Sequence, residues 1–267
     1  MKTNNTATTM FVSVLGLVLP LIFISCGSNN KPENRVVADA ITTLKKELPF
    51  RMEGLGKVRD VDYEGNTVLF QLRIKEDDAS GLNVNKINNN KLLAKEIVST
   101  QIGMMNDLMK GAMKNIAEQS FGLRVVVDGS NSNQGIIELS SEEIKTALSN
   151  TRNKTQEDFS LEMVALTTRM MLPTQIDQVT TWTDTRMTSA SFEYVYRIDD
   201  DGIDLNGIDL RIIKNEKLSM LRQNIDLMRN VVGLCKSTRR NLVFRYIGNR
   251  SNITIDVVLT PSDLKTM

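Results

Sequence analysis

Apolar positions along this chain switch between a helical period and a strand period, and the order of switches is written twice. Val37, Ile41, Leu44 and Leu48 fall at helical spacings and stop before Pro49, whose ring blocks continuation of the preceding turn. Val68, Phe70, Leu72 and Ile74 then alternate with Gln71, Arg73 and Lys75, the pattern of a half-buried strand, with Glu64, Gly65 and Asn66 as the turn before it. Leu93, Ile97, Met104, Leu108 and Ala112 predict one long helix, rich in methionine through Met105, Met109 and Met113. Asp128 and Gly129 open a turn between apolar runs at 123–127 and 135–139, which reads as a hairpin.

The second half repeats the plan. A helix is predicted near 160–171, a hairpin from 179–186 and 190–198, a long helix over 218–235, and a last strand pair from 242–246 and 253–259. Leu48 and Pro49 recur as Leu172 and Pro173, and at the same spacing Val68, Phe70, Leu72 and Ile74 fall on Phe192, Tyr194, Tyr196 and Ile198. Asp60 falls on Asp184 and Asp77 on Asp201. Farther on, with slightly shorter shifts, Leu123, Val125 and Val127 match Leu242, Phe244 and Tyr246. Ile137, Leu139, Glu143 and Ile144 match Val257, Leu259, Asp263 and Leu264. The changed shifts place insertions in the middle segment and the last turn, where they cost least. The expected fold class is α+β: two tandem two-layer sandwiches, each helix-hairpin-helix-hairpin with four strands in an antiparallel sheet. The units are expected at 36–148 and 159–267, joined by a linker at 149–158 that carries no apolar residue to bury.

Ahead of these units lies a different kind of segment. Lys2 is followed by polar residues 3–9, and 10–24 are then almost wholly apolar, broken only by Ser13, Gly16 and Pro20. Fifteen helical residues rise roughly 22 Å, short of the ~30 Å hydrocarbon core of a bilayer. A charged start, a short apolar centre and a small residue before the cut describe an export signal. Phe23, Ile24, Ser25 and Cys26 resemble the lipobox of bacterial lipoproteins, with phenylalanine where that family usually has leucine. The resemblance implies that 1–25 are removed, that the Cys26 thiol carries diacylglycerol (with palmitate-type chains), and that 26–35 are a polar tether. Two or three acyl chains anchor a protein firmly, whereas one binds reversibly. Gly27 lacks the aspartate that signals inner-membrane retention in enteric bacteria, so the outer membrane is the expected location. An ordinary secretory peptide with a coincidental cysteine is the alternative.

Composition narrows the chemistry. Removing 1–25 takes one lysine from 33 basic residues and leaves them level with the 32 acidic ones, so no basic excess exists to follow a phosphate backbone, and nucleic acid is not an expected partner. The chain contains no histidine, which removes the commonest general base and zinc ligand and every Ser-His or Cys-His nucleophile system. No G-x-S-x-G elbow marks out a serine. Cys235, the only other cysteine, closes an apolar stripe with Leu218, Leu221, Ile225, Met228 and Val232, and so reads as a small buried hydrophobe rather than a reactive thiol.

Few candidate sites remain. Asp199, Asp201 and Asp204 stand in an acidic, glycine-containing run that could wrap Ca²⁺, but the EF-hand register fails and a solvated loop is the simpler reading. The methionines of the first long helix read as filling between helix and sheet, with a soft ligand groove as the alternative. Arg239 and Arg240 read as capping and solvating a helix end, with an anionic partner as the alternative. Trp182, Tyr194 and Tyr196 read as core residues, with a carbohydrate platform as the alternative.

Leu172, Pro173, Asp177, Tyr194, Tyr196 and Cys235 are similar to a pattern in small, uncharacterised α+β proteins of bacterial envelopes, the second half carrying the likeness better. That resemblance implies a fold plan and an envelope setting, with no cofactor. The resulting expectation is a membrane-anchored envelope lipoprotein with a non-enzymatic binding or scaffolding role. It would meet the membrane through its lipid and engage an envelope protein or polysaccharide. The rivals are a carboxylate-dependent hydrolase of envelope or dietary polymer and a Ca²⁺-dependent binding module.

Overall fold

A computed structural model of the chain describes residues 34–53, 55–74, 83–129, 133–151, 154–223 and 225–265. The signal segment 1–25, Cys26, the tether up to residue 33 and the acidic pair Asp77 and Asp78 lie outside the described residues. The first half runs α1 (Arg35–Lys46), β1 (Phe50–Met52), β2 (Gly56–Glu64), β3 (Thr67–Arg73), α2 (Val84–Asn89), α3 (Lys91–Met104), α4 (Asp107–Glu118), β4 (Gly122–Asp128), β5 (Gln134–Leu139) and α5 (Ser141–Ser149). The second runs α6 (Gln156–Arg169), β6 (Thr174–Gln175), β7 (Thr180–Met187), β8 (Ser191–Ile198), a 3-10 turn (Leu205–Gly207), α7 (Leu210–Gln223), α8 (Ile225–Ser237), β9 (Asn241–Gly248), β10 (Thr254–Leu259) and α9 (Pro261–Leu264). No described helix is long and apolar enough to cross a membrane.

Each half forms its own five-stranded sheet with the strands in chain order. Two expectations are corrected here. The sheets are mixed, not antiparallel, because β3 pairs with β4 and β8 with β9 in parallel. The reason is topological: a helical crossover returns the chain to the end from which the previous strand started. Each sheet also has five strands rather than four. β1 and β6 span three and two residues, too short to show any alternation.

The long helix expected in the first half is likewise broken into α3 and α4. Met105 adopts an extended backbone, and the Asn106 side chain caps α4 by accepting the Met109 N–H at 2.9 Å. The break turns Leu108 outward, 57% exposed, while Met109, Ala112 and Met113 stay buried. In the second half the helix expected over 218–235 is described as α7 up to Gln223 and α8 from Ile225, on either side of residue 224.

The matching residues sit at matching registers. Phe70 faces Val125 and Leu72 faces Val127 across the parallel pair of the first sheet; Tyr194 faces Phe244 and Tyr196 faces Tyr246 in the second. Both first hairpins carry a bulge at the same place, between Val58 and Asp60 and between Trp182 and Asp184. The aspartate side chain serves the bulge in each case, accepting the next residue's N–H: Val61 at 2.8 Å and Thr185 at 2.9 Å. An extra residue leaves a ladder amide without a strand partner, and an acceptor one bond away satisfies it. That is why aspartate recurs there. The helices closing each half repeat a capping box, Ser140 with Glu143 and Thr260 with Asp263.

Helix α6 belongs to both halves. It starts at Gln156, inside the segment read as linker, and its apolar residues divide between two cores. Met163, Leu166 and Met170 pack with the first sheet's core, and Leu161 and Ala165 with the second's. Phe159 lies over Gly103 of α3, so close that a Cβ on Gly103 would stand 2.7 Å from the ring. At the N-terminus, Thr155 and Asp158 form a capping box, and the buried Asp158 carboxylate is gripped by Arg240, which also donates to the Thr188 carbonyl at 2.9 Å. Arg240 therefore clamps α6 to the β7–β8 turn, which corrects its reading as a solvated helix end. Burial pushes the Asp158 carboxyl upward, but the Thr155 amide, the Arg240 guanidinium and the Thr155 hydroxyl outweigh it and hold it below its ordinary value.

Three outcomes follow for stability. Replacing glycine by alanine inside a helix ordinarily gains up to about 1 kcal/mol; Gly103→Ala is expected instead to lower the melting temperature, because the Phe159 ring must move. Thr185 is fully buried and its hydroxyl has no partner among the described residues, while its counterpart in the first half is the buried Val61. Thr185→Val should therefore raise stability by about 1 kcal/mol in urea unfolding; a loss of stability would show the hydroxyl to be bonded. Asp158→Asn, which leaves Arg240 buried without its anion, should cost about 3 kcal/mol at neutral pH. Because the folded carboxyl is depressed, its contribution is complete above the ordinary value of 3.8 and fades as pH falls below it. The gap between wild type and variant should narrow there and remain constant between pH 6 and 8.

Candidate functional site

The acidic run does not assemble as a metal site. Asp200, not named among the candidates, is the buried member: it accepts the backbone N–H of Arg250 at 2.8 Å and of Ser251 at 3.1 Å, fixing the β9–β10 turn. The Ser251 hydroxyl, together with these amides, holds its carboxyl well below the usual range. Asp201 pairs with Arg250 at 2.7 Å on the surface, and Asp204 caps the 3-10 turn through the Asn206 N–H at 3.0 Å. Asp199 is exposed and uses its backbone N–H on Val179. Among the described residues no three Asp, Glu or Cys side chains converge as metal ligands would.

Nor do the buried carboxylates form an acid–base pair. Asp158 holds Arg240, Glu193 sits between the Ser191 hydroxyl at 2.7 Å and Arg245 at 3.0 Å, and Asp200 holds its turn. Among the described residues, the carboxyl groups with a displaced ionisation are displaced downward, the direction of a stabilised carboxylate. Of two recesses elsewhere among the described residues, one is a cleft of about 620 Å³ beside α6 where charges are neutralised internally, Arg169 and Arg186 on Asp184 and Lys154 on Glu162. The other, of about 240 Å³, is where Met52, Met104, Met105 and Met109 meet, so the methionine helix both fills the core and edges a small hollow.

The feature with binding character lies beneath α7. On the face of the second sheet that meets the helices, an aromatic ladder climbs from Phe192 through Tyr194 to Tyr196, stacked laterally on Phe244 (5.6 Å between centroids) and Tyr246 (5.1 Å). Trp182 packs edge-on against Tyr194 at 5.3 Å and donates its indole N–H to the Asp184 carbonyl at 2.9 Å. Tyr194 is buried at the ladder's centre, so these rings pack on one another rather than forming a flat carbohydrate platform. Desolvation pushes the Tyr194 and Tyr196 phenols far above their ordinary value and Tyr246 up to about 12. All three are neutral, hydrogen-bonding hydroxyls on an apolar wall.

Where the ladder ends, α7 leaves a groove of about 390 Å³. It is walled by Tyr196, Phe244, Tyr246 and Ile255 on the sheet side and by Ile213 and Lys217 on the helix side. The first half shows why it is open. There α2 settles on Gly135 of β5, with Ile87 and Asn88 side-chain atoms only 3.4 Å from where a Cβ would stand, and the Asn88 side chain donates to the Gln134 carbonyl. The second sheet has Ile255 at that register and tyrosines where the first has Leu72 and Val127. Leu221 is the one fully buried α7 residue. Of the ten large apolar side chains exposed among the described residues, Ile176 and Met220 line this opening, and Leu210 and Ile212 lie on the same helix as Met220. Such clustering marks an interaction site more than scattered surface leucines do.

Lys217 occupies the groove. Its ammonium stands 5.3 Å from the Phe244 ring centre and 5.5 Å from that of Tyr246. Desolvation lowers its pKa, against the opposing pull of Glu216 and Asp177. Asp177 spends its carboxylate on the Val179 and Thr180 amides at 2.9 and 2.8 Å. The sequence signal was present but inverted: Lys214 and Lys217 fall on the inward stripe of α7 with Ile213, Leu218 and Leu221, where apolar residues are expected.

Cys235 is fully buried and unpaired in the second core, and desolvation pushes its thiol up to about 12, only partly countered by Arg240. Peptide mapping after iodoacetamide at about pH 8 should find Cys235 unmodified in the folded protein and alkylated once denatured; rapid labelling of native protein would show that this core opens. The chain matches no protein-family model, no curated protein and no solved structure.

Proposed function

We propose that this chain is a lipid-anchored protein of the bacterial cell envelope, whose folded part arose by tandem duplication of one α+β sandwich and serves a non-enzymatic binding role. The anchor rests on the sequence: Cys26 follows a short apolar run in lipobox register, and 26–33 supply a polar lead to α1. Duplication is supported by the shared strand registers, the two aspartate-served bulges and the two closing capping boxes. Together these make one half a reference for the other. Where the first half has Leu72, Val127 and Gly135, α2 packs on the sheet; where the second has Tyr196, Tyr246 and Ile255, a groove lined by exposed apolar side chains opens beside α7. That difference is the observation on which the binding role rests. The ligand surface is the groove beneath α7, and its expected partner is a second component of the envelope, protein or polysaccharide, with the membrane met only through the lipid.

Two experiments test the reading. Cys26→Ala, expressed in a bacterium with lipoprotein processing, should move the chain from the membrane to the soluble fraction and remove the mass of the acyl chains from its N-terminal peptide. Retention in the membrane at unchanged lipid content would reject the anchor. A photo-crosslinking residue at Ile212, the exposed neighbour of groove-lining Ile213 on α7, should give a discrete adduct in intact envelopes, while the same residue at the exposed Lys114 of α4 should not. Equal labelling at both positions would reject the groove as the binding surface.

A further inference from the structure

We infer that the groove beneath α7 is a site for a quaternary ammonium group, and that Lys217 is the chain's own occupant of that site, displaced when the ligand enters. The inference rests on the groove's being the ligand surface and adds the chemistry of the ligand. Aromatic faces attract cations through the negative face of the ring, and the attraction grows as water is excluded. Phe244 and Tyr246 present such faces to a half-buried cavity, and they already hold an alkylammonium in it. Two carboxylates, Asp177 and Glu216, line the same opening, so the field at the groove favours positive charge over negative.

The way Lys217 is held decides which cation suits the place. Its neighbour one turn back on the inward face of α7, Lys214, is bonded to Asp263 at 2.8 Å. The other lysine that lies over a ring, Lys154 on Phe159, has Glu162 at 2.6 Å. Lys217 has no carboxylate within ion-pair distance among the described residues; the nearby Asp177 turns one oxygen, Oδ1, to the Val179 and Thr180 amides. The groove therefore holds this ammonium by π faces rather than by an ion pair. A primary amine brings three N–H donors that want acceptors; a trimethylammonium brings none and presents methyl groups to the ring faces and the isoleucine walls instead. Lys217 sits on a flexible four-carbon stem and can swing toward solvent. The first half has no counterpart: aliphatic Val125 and Val127 stand where Phe244 and Tyr246 stand, so no cation site exists there.

Trp182, the only tryptophan, packs against Tyr194 and Tyr196 and reports on the ladder by its emission. Choline and its uncharged isostere 3,3-dimethylbutan-1-ol are titrated into the full chain and three variants, each checked for an unchanged melting curve. Choline is expected to shift the emission saturably, and the isostere to bind about tenfold more weakly. Lys217→Met, which keeps the stem and removes the competing charge, should tighten choline binding by about tenfold, whereas Lys217→Arg, which keeps a cation over the rings, should not. Tyr246→Leu should abolish the preference for choline over the isostere. Equal binding of the two probes would overturn the cation assignment and leave an apolar ligand groove standing. Weaker choline binding in Lys217→Met, or none, would overturn it as well. A persistent cross-link at Ile212 would then show that only the ligand chemistry had been misassigned, while its loss would remove the groove itself.

Discussion

One helix holds two cores together. Residues around α6 are apolar on nearly every side, Phe159, Leu161, Met163, Val164, Ala165, Leu166 and Met170, which is the composition of a helix with no solvent face to spare. Neither sheet alone offers enough surface to cover it, so each takes a different stripe. An apolar rod gripped by two cores still has freedom to slide, and the polar end fixes it. Asp158 must satisfy the Thr155 amide to start the helix and must lie beside Arg240 to be tolerated in the interior. Arg240 in turn is placed by the end of α8, where Arg239 takes a left-handed backbone and the Arg240 N–H returns to the Cys235 carbonyl. The two halves are thus tied by a buried ion pair whose geometry depends on elements from both ends of the second half.

The repetition matters because it separates what the frame requires from what a site requires. Bulge aspartates, capping boxes and strand registers recur in both halves and serve the frame. Tyrosines at 196 and 246, isoleucine at 255 and lysine at 217 occur in one half and are unnecessary to it, since the other half builds the same sheet from leucine, valine and glycine. Glycine at 135 lets α2 pack closely on the first sheet, whereas Ile255 at the same register forms a wall of the groove.

How much of this was legible beforehand follows from the range over which each signal acts. Strand alternation and helix stripes are local, so most strands and helices could be read, as could the correspondence of Phe70 with Tyr194 and of Val125 with Phe244 between the halves. The break within the first long helix was missed because Asn106 competes with the helix through one side-chain acceptor, a choice that periodicity does not record. Parallel pairing of the central strands followed from the crossover, and strands of two or three residues leave no period at all. The fates of Asp158, Asp200 and Arg240 depend on partners between 50 and 82 residues away, so sequence position alone read them as linker, loop and solvated cap. The groove was least legible, since it arises from a mismatch of volumes between helix and sheet that appears only on superposing one half upon the other.

Electrostatics narrow the reading further. Most of the charge that this chain draws into its interior is neutralised in place: Asp158 on Arg240, Glu193 and Asp256 on Arg245, Lys214 on Asp263. Burying an ion without its partner costs several kcal/mol in general, so such pairings are what stability alone would select. Lys217 departs from that habit. It gives up hydration for two ring faces and for carboxylates too distant to bond, an arrangement that a leucine at the same place would improve if packing were the only demand. A charge held over two ring faces with no bonded carboxylate among the described residues, in the half that carries the groove, is what the proposed binding site would use.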